Sequence, residues 1–332
     1  MKKIFVFACT ALVLFACNRN PFKVDLSGSN ISFSYEHFAD DLFAIRNDVP
    51  GGLPALETRY PEILPLFAGS VITIGLPGDS AFTELLQSFV QDTLMNSVKE
   101  QVDEKIDQDK LKTDLEQAFR YYHYYFPNRV VPTVFGCVSG FNQSVIMTDS
   151  LMGIGLDKYL GRDCDYYPRL AIPRYQRMNM HPNKIVPDAM YAWTSTEFPF
   201  QGYGPHLADR MIYEGKLLYL LDALLPETPD SLKIGFTQTQ LDFCREKEAA
   251  MWTYLAQHKL LFSTERMDIK RYVDDSPYTS SFTDQSPGRT GAWLGWQIVK
   301  TYMKRQPEVT IPQLLDDKDT KKILNSSGYQ PE

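Results

Sequence analysis

The sequence predicts an α+β fold, with a small, mostly antiparallel sheet in its first half and a predominantly helical second half. Three observations carry this. Strand-like runs bounded by turn residues cluster at Val130–Val138, Ser144–Thr148 and Leu151–Leu156. Apolar residues recur at helical spacing through most of the chain after Pro182. The stretch from His206 to Pro226, HLADRMIYEGKLLYLLDALLP, is apolar on more than one stripe, so it reads as a helix sunk in a core.

In chain order, Lys2 and Lys3 precede an apolar run from Ile4 to Ala16. That run is too short for a stable membrane span and right for a signal segment. It ends in Leu14-Phe15-Ala16-Cys17, which resembles a bacterial lipobox. Cleavage before Cys17 would leave that residue carrying the lipid anchor, palmitate included. The expected organisation is therefore a signal peptide over 1–16, a polar tether over 17–34, and one globular domain over 35–330 with a candidate internal boundary near 162–205.

Tyr35–Arg46 has helical spacing, and Pro50-Gly51-Gly52 breaks it. Pro54, Pro61 and Pro65 cut the next stretch into short turns, and Val71–Ile74 is a β-like run. Asp79-Ser80 caps a helix from Ala81 to about Met95. Residues 96–110 are rich in charge and read as a solvated helix or connection. Leu111–Phe126 is helical, with an aromatic end that suits a core anchor. Pro132 suggests an edge strand or a strand start, and the three strand-like runs read as an antiparallel meander. Helices are expected at Lys184–Trp193, Thr237–His258 and Ala292–Met303, with short ones near Ile311–Leu315 and Lys318–Asn325. Gly291 and Gly295 lie four apart on one helix face, so another element can pack closely there.

Lys and Arg number 34 against 41 Asp and Glu, for a formal charge of −7 with no basic block. Such a chain is a poor candidate for nucleic acid or for electrostatic membrane binding. Cys137, Cys164 and Cys244 remain in the mature chain with no Cys-x-x-Cys, which leaves open one disulfide or three buried thiols.

The central helix also frames the question of chemistry. A gluzincin protease places His-Glu-x-x-His on such a helix, with both His on the metal and the Glu on the water. Here Glu214 has the register of that Glu, but Tyr213 and Leu217 stand at the two ligand positions. No two of the five His (His37, His123, His181, His206, His258) are four apart. Glu248 has the spacing of the further downstream ligand. No metal or other cofactor is expected from this donor set. Glu214 and Glu248 are the vestigial catalytic candidates, and Tyr213 and Arg289 are candidates for binding. Each has a plain alternative: Glu214 pairing with Arg210 one turn away, Glu248 as a surface charge, Arg289 satisfying loop carbonyls at a helix start.

The lipobox, MTDSLMGIGLDKYLG (Met147–Gly161), MIYEGKLLYLLDALLP (Met211–Pro226) and SPGRTGAWLGWQIVKTYM (Ser286–Met303) together resemble the gliding-motility lipoprotein GldB family of the Bacteroidetes. The resemblance implies an envelope lipoprotein associated with gliding and type IX secretion, and a distant similarity to gluzincin-fold peptidases. The expectation is a non-catalytic protein that uses its former cleft or its surface to engage other envelope proteins. Asn18 is not the Asp of inner-membrane retention, and Asn18-Arg19-Asn20 is not an acidic export run, so the outer membrane, facing the periplasm, is expected. Two rivals come from other classes: a hydrolase with a non-standard site around Glu214 and Glu248, and a glycan- or peptide-binding lipoprotein using its Tyr- and Trp-rich regions.

Overall fold

The structure is a computed structural model that describes residues 20–332. The signal run, the lipobox and Cys17 lie outside the described residues. Helices dominate around one small sheet, as the α+β expectation has it. The six longest are α1 (Thr93–Lys105), α2 (Gln108–Tyr125), α3 (Ile185–Glu197), α4 (Leu207–Leu224), α5 (Gln238–Gln257) and α6 (Thr290–Arg305).

The strands are β1 (Tyr35–Glu36), β2 (Thr133–Cys137), β3 (Val145–Met147) and β4 (Leu151–Gly155), in the order β1-β2-β4-β3. Only β3 and β4 are antiparallel; β1–β2 and β2–β4 are parallel. The sheet is therefore mixed, and the expected meander is corrected. The physical reason lies in β4. Its run LMGIG is buried at every position, as a central strand covered on both faces should be. Gly153 lets the Phe135 ring lie against its backbone, and Gly155 lets the Gln143 carbonyl approach; a Cβ at either site would collide. β4 can thus slip between β2 and β3.

A buried carboxylate fixes the path that makes room for it. After β2 the chain turns with two successive left-handed residues, Gly140 at φ 66° and Phe141 at φ 64°. Asp157, just after β4, accepts the amides of Ser139 at 2.8 Å and Phe141 at 2.5 Å and the Ser139 hydroxyl at 3.1 Å. Burial nonetheless raises its carboxyl above the usual carboxylate range, against the lowering effect of those donors.

Three local expectations also change. Tyr35 and Glu36 pair with β2 before the helix Phe38–Ala44 begins, so one expected helix is a strand and a shorter helix. Val71–Ile74 is not a strand. It closes a π-helical turn, Phe67–Val71, whose Phe67 and Ala68 are buried, and Thr73 then turns with φ 53°. The charged 96–110 segment is helical, as one of its two readings has it, but falls in two capped helices with a buried side. Asp92 and Asp107 accept the amides of Met95 and Lys110, and α1 buries Val98 and Val102.

α4 is the hub. Nearly all of its residues are buried, and its most extensive partner is α6. The two backbones cross where Gly215 of α4 faces Gly295 of α6. His206 and Asp209 form the capping box that starts α4, with the Asp209 carboxylate 2.9 Å from the His206 amide. Of the segment read as a tether, residues 20–34 lie along this body. Leu26 is buried, Arg120 donates to the Leu26 carbonyl at 2.9 Å, and the rings of Phe33 and Phe119 are 5.8 Å apart.

Candidate functional site

Polar side chains inside an apolar helix are costly unless paired, so each one on α4 has to be accounted for. Glu214, only 3% exposed, meets one hydrogen-bond donor and two guanidinium charges. Arg210, one turn before it, puts Nη2 3.3 Å from Oε1. The Tyr191 hydroxyl of α3 donates to Oε2 at 2.5 Å. Arg289 Nη2 lies 3.6 Å from the same oxygen. Arg289 itself sits in the left-handed region (φ 57°) at the start of α6, with a second donor on the Ile234 carbonyl at 3.2 Å and Nε 3.7 Å from Asp275. Glu214 is thus paired with Arg210, and Arg289 reaches the carboxylate while serving not a loop carbonyl but that of Ile234, the last residue of the short helix Asp230–Ile234.

The two residues at the protease ligand positions are packed. Leu217 is fully buried, and Tyr213 lies edge-on to Phe200 and Tyr203, with ring centroids 5.2 and 5.4 Å away. Burial, followed by the charge of Glu214, pushes the Tyr213 hydroxyl up to about 12. Glu248 stands apart. It accepts a hydrogen bond from Tyr329 near the C-terminus at 2.5 Å and has no hydrogen-bonding or ion-pair partner in common with Glu214 among the described residues. Among those residues no group of three or more His, Cys, Asp or Glu is placed to hold a metal ion. Cys137, Cys164 and Cys244 are buried free thiols. The pocket beside Arg289 measures about 70 Å³, well below the few hundred Å³ of small-molecule sites.

Two further buried charges complete the polar side of α4. Asp222 accepts from Lys233 at 2.7 Å and from the Trp296 indole at 2.9 Å, with Lys300 3.5 Å away. Sequence reading missed this cluster and Tyr191, because their partners come from other helices. The only signal was the presence of Glu214, Lys216 and Asp222 in an apolar run. Lys216, fully buried, donates to the Asp317 carbonyl and to the Tyr203 hydroxyl at 3.2 Å. Burial pushes its ammonium down to about 7, with Asp317 opposing the shift.

Lys216 therefore makes stability depend on pH in a stated direction. Below about pH 7 both folded and unfolded chains carry the proton and the burial cost is fully present; between about 7 and 10 the unfolded chain binds more protons, so stability rises with pH. Lys216→Met lacks this term. The stability of the native chain minus that of Lys216→Met, from urea unfolding, is expected to grow by roughly 2–3 kcal/mol between about pH 6 and pH 9. A difference that stays flat over that range contradicts the assignment.

The sequence profile of one family, described as gliding motility protein GldB, matches residues 19–331. The chain belongs to the GldB family. This is a gliding-motility-associated lipoprotein family, which fits lipid anchorage in the cell envelope. No helix among the described residues is long and apolar enough to cross a membrane. No curated protein and no solved structure matches the chain. Three stretches that carry the GldB resemblance fall on the packing features just described. Met147–Gly161 holds β4 and Asp157, Met211–Pro226 holds Glu214, Gly215, Lys216 and Asp222, and Ser286–Met303 holds Arg289, Gly295 and Trp296.

Proposed function

We propose that this GldB-family chain is a non-catalytic lipoprotein, anchored through Cys17 in the outer membrane and facing the periplasm. There it supports gliding motility, type IX secretion or related envelope assembly by engaging other envelope proteins. Its peptidase-like register is a remnant. The observation that carries the reading is the placement of Glu214: the one carboxylate in the register of a protease base is engaged by Arg210, Tyr191 and Arg289 at once. A general base needs an oxygen free to take a proton from water or substrate, within about 2.6–3.2 Å. The aromatic packing of Tyr213 and the burial of Leu217 support the same reading, since both ligand positions serve the core.

The alternative is a hydrolase working from Glu214, and it is separated by complementation of a deletion strain. Glu214→Gln, expressed so that its abundance matches the native protein, is expected to restore motility or secretion fully. Loss of function at matched abundance would put the hydrolase first. Stoichiometric zinc in the purified protein, together with peptidase activity that Glu214→Gln abolishes, would lead to the same conclusion.

A further inference from the structure

A cleft of about 680 Å³ opens between one face of α2, the start of α3 and the chain leaving α4. This falls within the range of volumes that hold small ligands. Apolar side chains form part of every wall, Ile106, Leu111 and Tyr121 on one side, Val186 on a second, Leu225 and Leu232 on the third, interspersed with polar ones such as Gln117 and Asn183. Of the charged residues that line it, Lys110 pairs with Asp114 and Glu227 with Lys23, while Lys105 donates to Gln101 and Asp107 accepts the Lys110 amide, with no opposite charge beside either among the described residues. The apolar stretches of these walls suit a hydrocarbon chain, since the charged groups already have hydrogen-bond or ion-pair partners of their own.

The start of the described chain is fastened to that same wall. The Asn20 side-chain amide donates to the Pro226 carbonyl at 2.8 Å, and Pro226 lines the cleft. Phe22 meets Tyr219 edge-on with centroids 5.3 Å apart, and Lys23 pairs with Glu227. Cys17 is three residues before Asn20, so its α-carbon stays within about 10 Å of that anchored point. Any lipid on Cys17 begins beside this cleft.

The geometry points to one acyl chain of the Cys17 lipid as the occupant of this cleft. This rests on Cys17 being the lipidated residue. The covered chain would shield the apolar walls from water, and the remaining acyl chains would hold the bilayer, leaving the face around Asn20 and Pro226 against the membrane.

The test feeds cells making the full chain a diazirine-bearing palmitate, irradiates the membranes, and maps adducts by mass spectrometry. Adducts from labelled Cys17 are expected on peptides of the same chain containing residues 105–121, 182–187 or 224–232. Val186→Trp fills the cleft and should abolish them; Leu232→Trp does so from the opposite wall if the first variant does not fold. Label on Cys17 with adducts only on phospholipid or other proteins overturns the proposal, as do cleft adducts that persist in the folded Trp variants. A diazirine phospholipid that labels the cleft of the native chain while the Cys17 lipid does not would assign it to bilayer lipid and overturn it too. Absence of label from Cys17 itself is a different result: it removes the anchor and the occupant together.

Discussion

Gly295→Ala is expected to abolish folding or to cost more than about 4 kcal/mol, the range reserved for disrupted cores. A Cβ on Gly295 would overlap the carbonyl of Met211 on α4, and one on Gly215 would overlap the carbonyl of Gly295 on α6. In both cases the obstacle is backbone, which cannot rotate away as a flexible side chain could. The helices would have to separate along the contact that organises the whole core. On an exposed helix the same change would stabilise by up to about 1 kcal/mol, so the sign of the effect identifies the crossing. Soluble yield and the urea midpoint of Gly215→Ala and Gly295→Ala measure it. A midpoint at or above that of the native chain would show that α4 and α6 do not meet there.

The second large effect is expected at Asp222. Burial holds its carboxyl above the ordinary carboxylate range even though Lys300 and Lys233 pull the other way. Such a network is expensive to bury and more expensive to break. Asp222→Ala leaves the buried Lys233 with only Asp230, 3.7 Å away, and leaves the Trp296 indole without its acceptor. The expected loss is roughly 3–5 kcal/mol by urea unfolding. Asp222→Leu combined with Lys233→Met removes both charges and should recover part of that loss, because replacing a buried pair with apolar groups is often neutral. A double variant weaker than Asp222→Ala would contradict this.

Legibility in the sequence depends on the range over which each signal acts. The class of fold and the positions of α2, α4, α5 and α6 are local: periodicity, capping residues and prolines carry them. The close approach at Gly295 was legible because two glycines four apart have few other uses on a buried helix. Strand order was not legible. β2 and β4 pair in parallel across a loop whose path depends on Asp157 reaching back to Ser139 and Phe141, and no pattern within either strand records that reach. The continuous burial of LMGIG was the available clue, since a run apolar on both faces suits a central strand better than the end of a meander. The site divides in the same way. Arg210 is one turn from Glu214 and could be read from spacing, whereas Tyr191 and Arg289 arrive on other segments. Glu248 had suitable spacing from Glu214, but its hydrogen-bond partner is Tyr329.

The central claim is that Glu214 belongs to the architecture of α4. Urea unfolding of Glu214→Gln tests it most directly, because the substitution keeps the side-chain shape and removes the carboxylate that Arg210, Tyr191 and Arg289 share. A structural carboxylate predicts a loss of about 1–3 kcal/mol, from a buried set of donors left without its acceptor. A variant as stable as the native chain or more stable, and inactive in cells at matched abundance, is the signature of a site kept for function at the expense of stability. That result would contradict the claim.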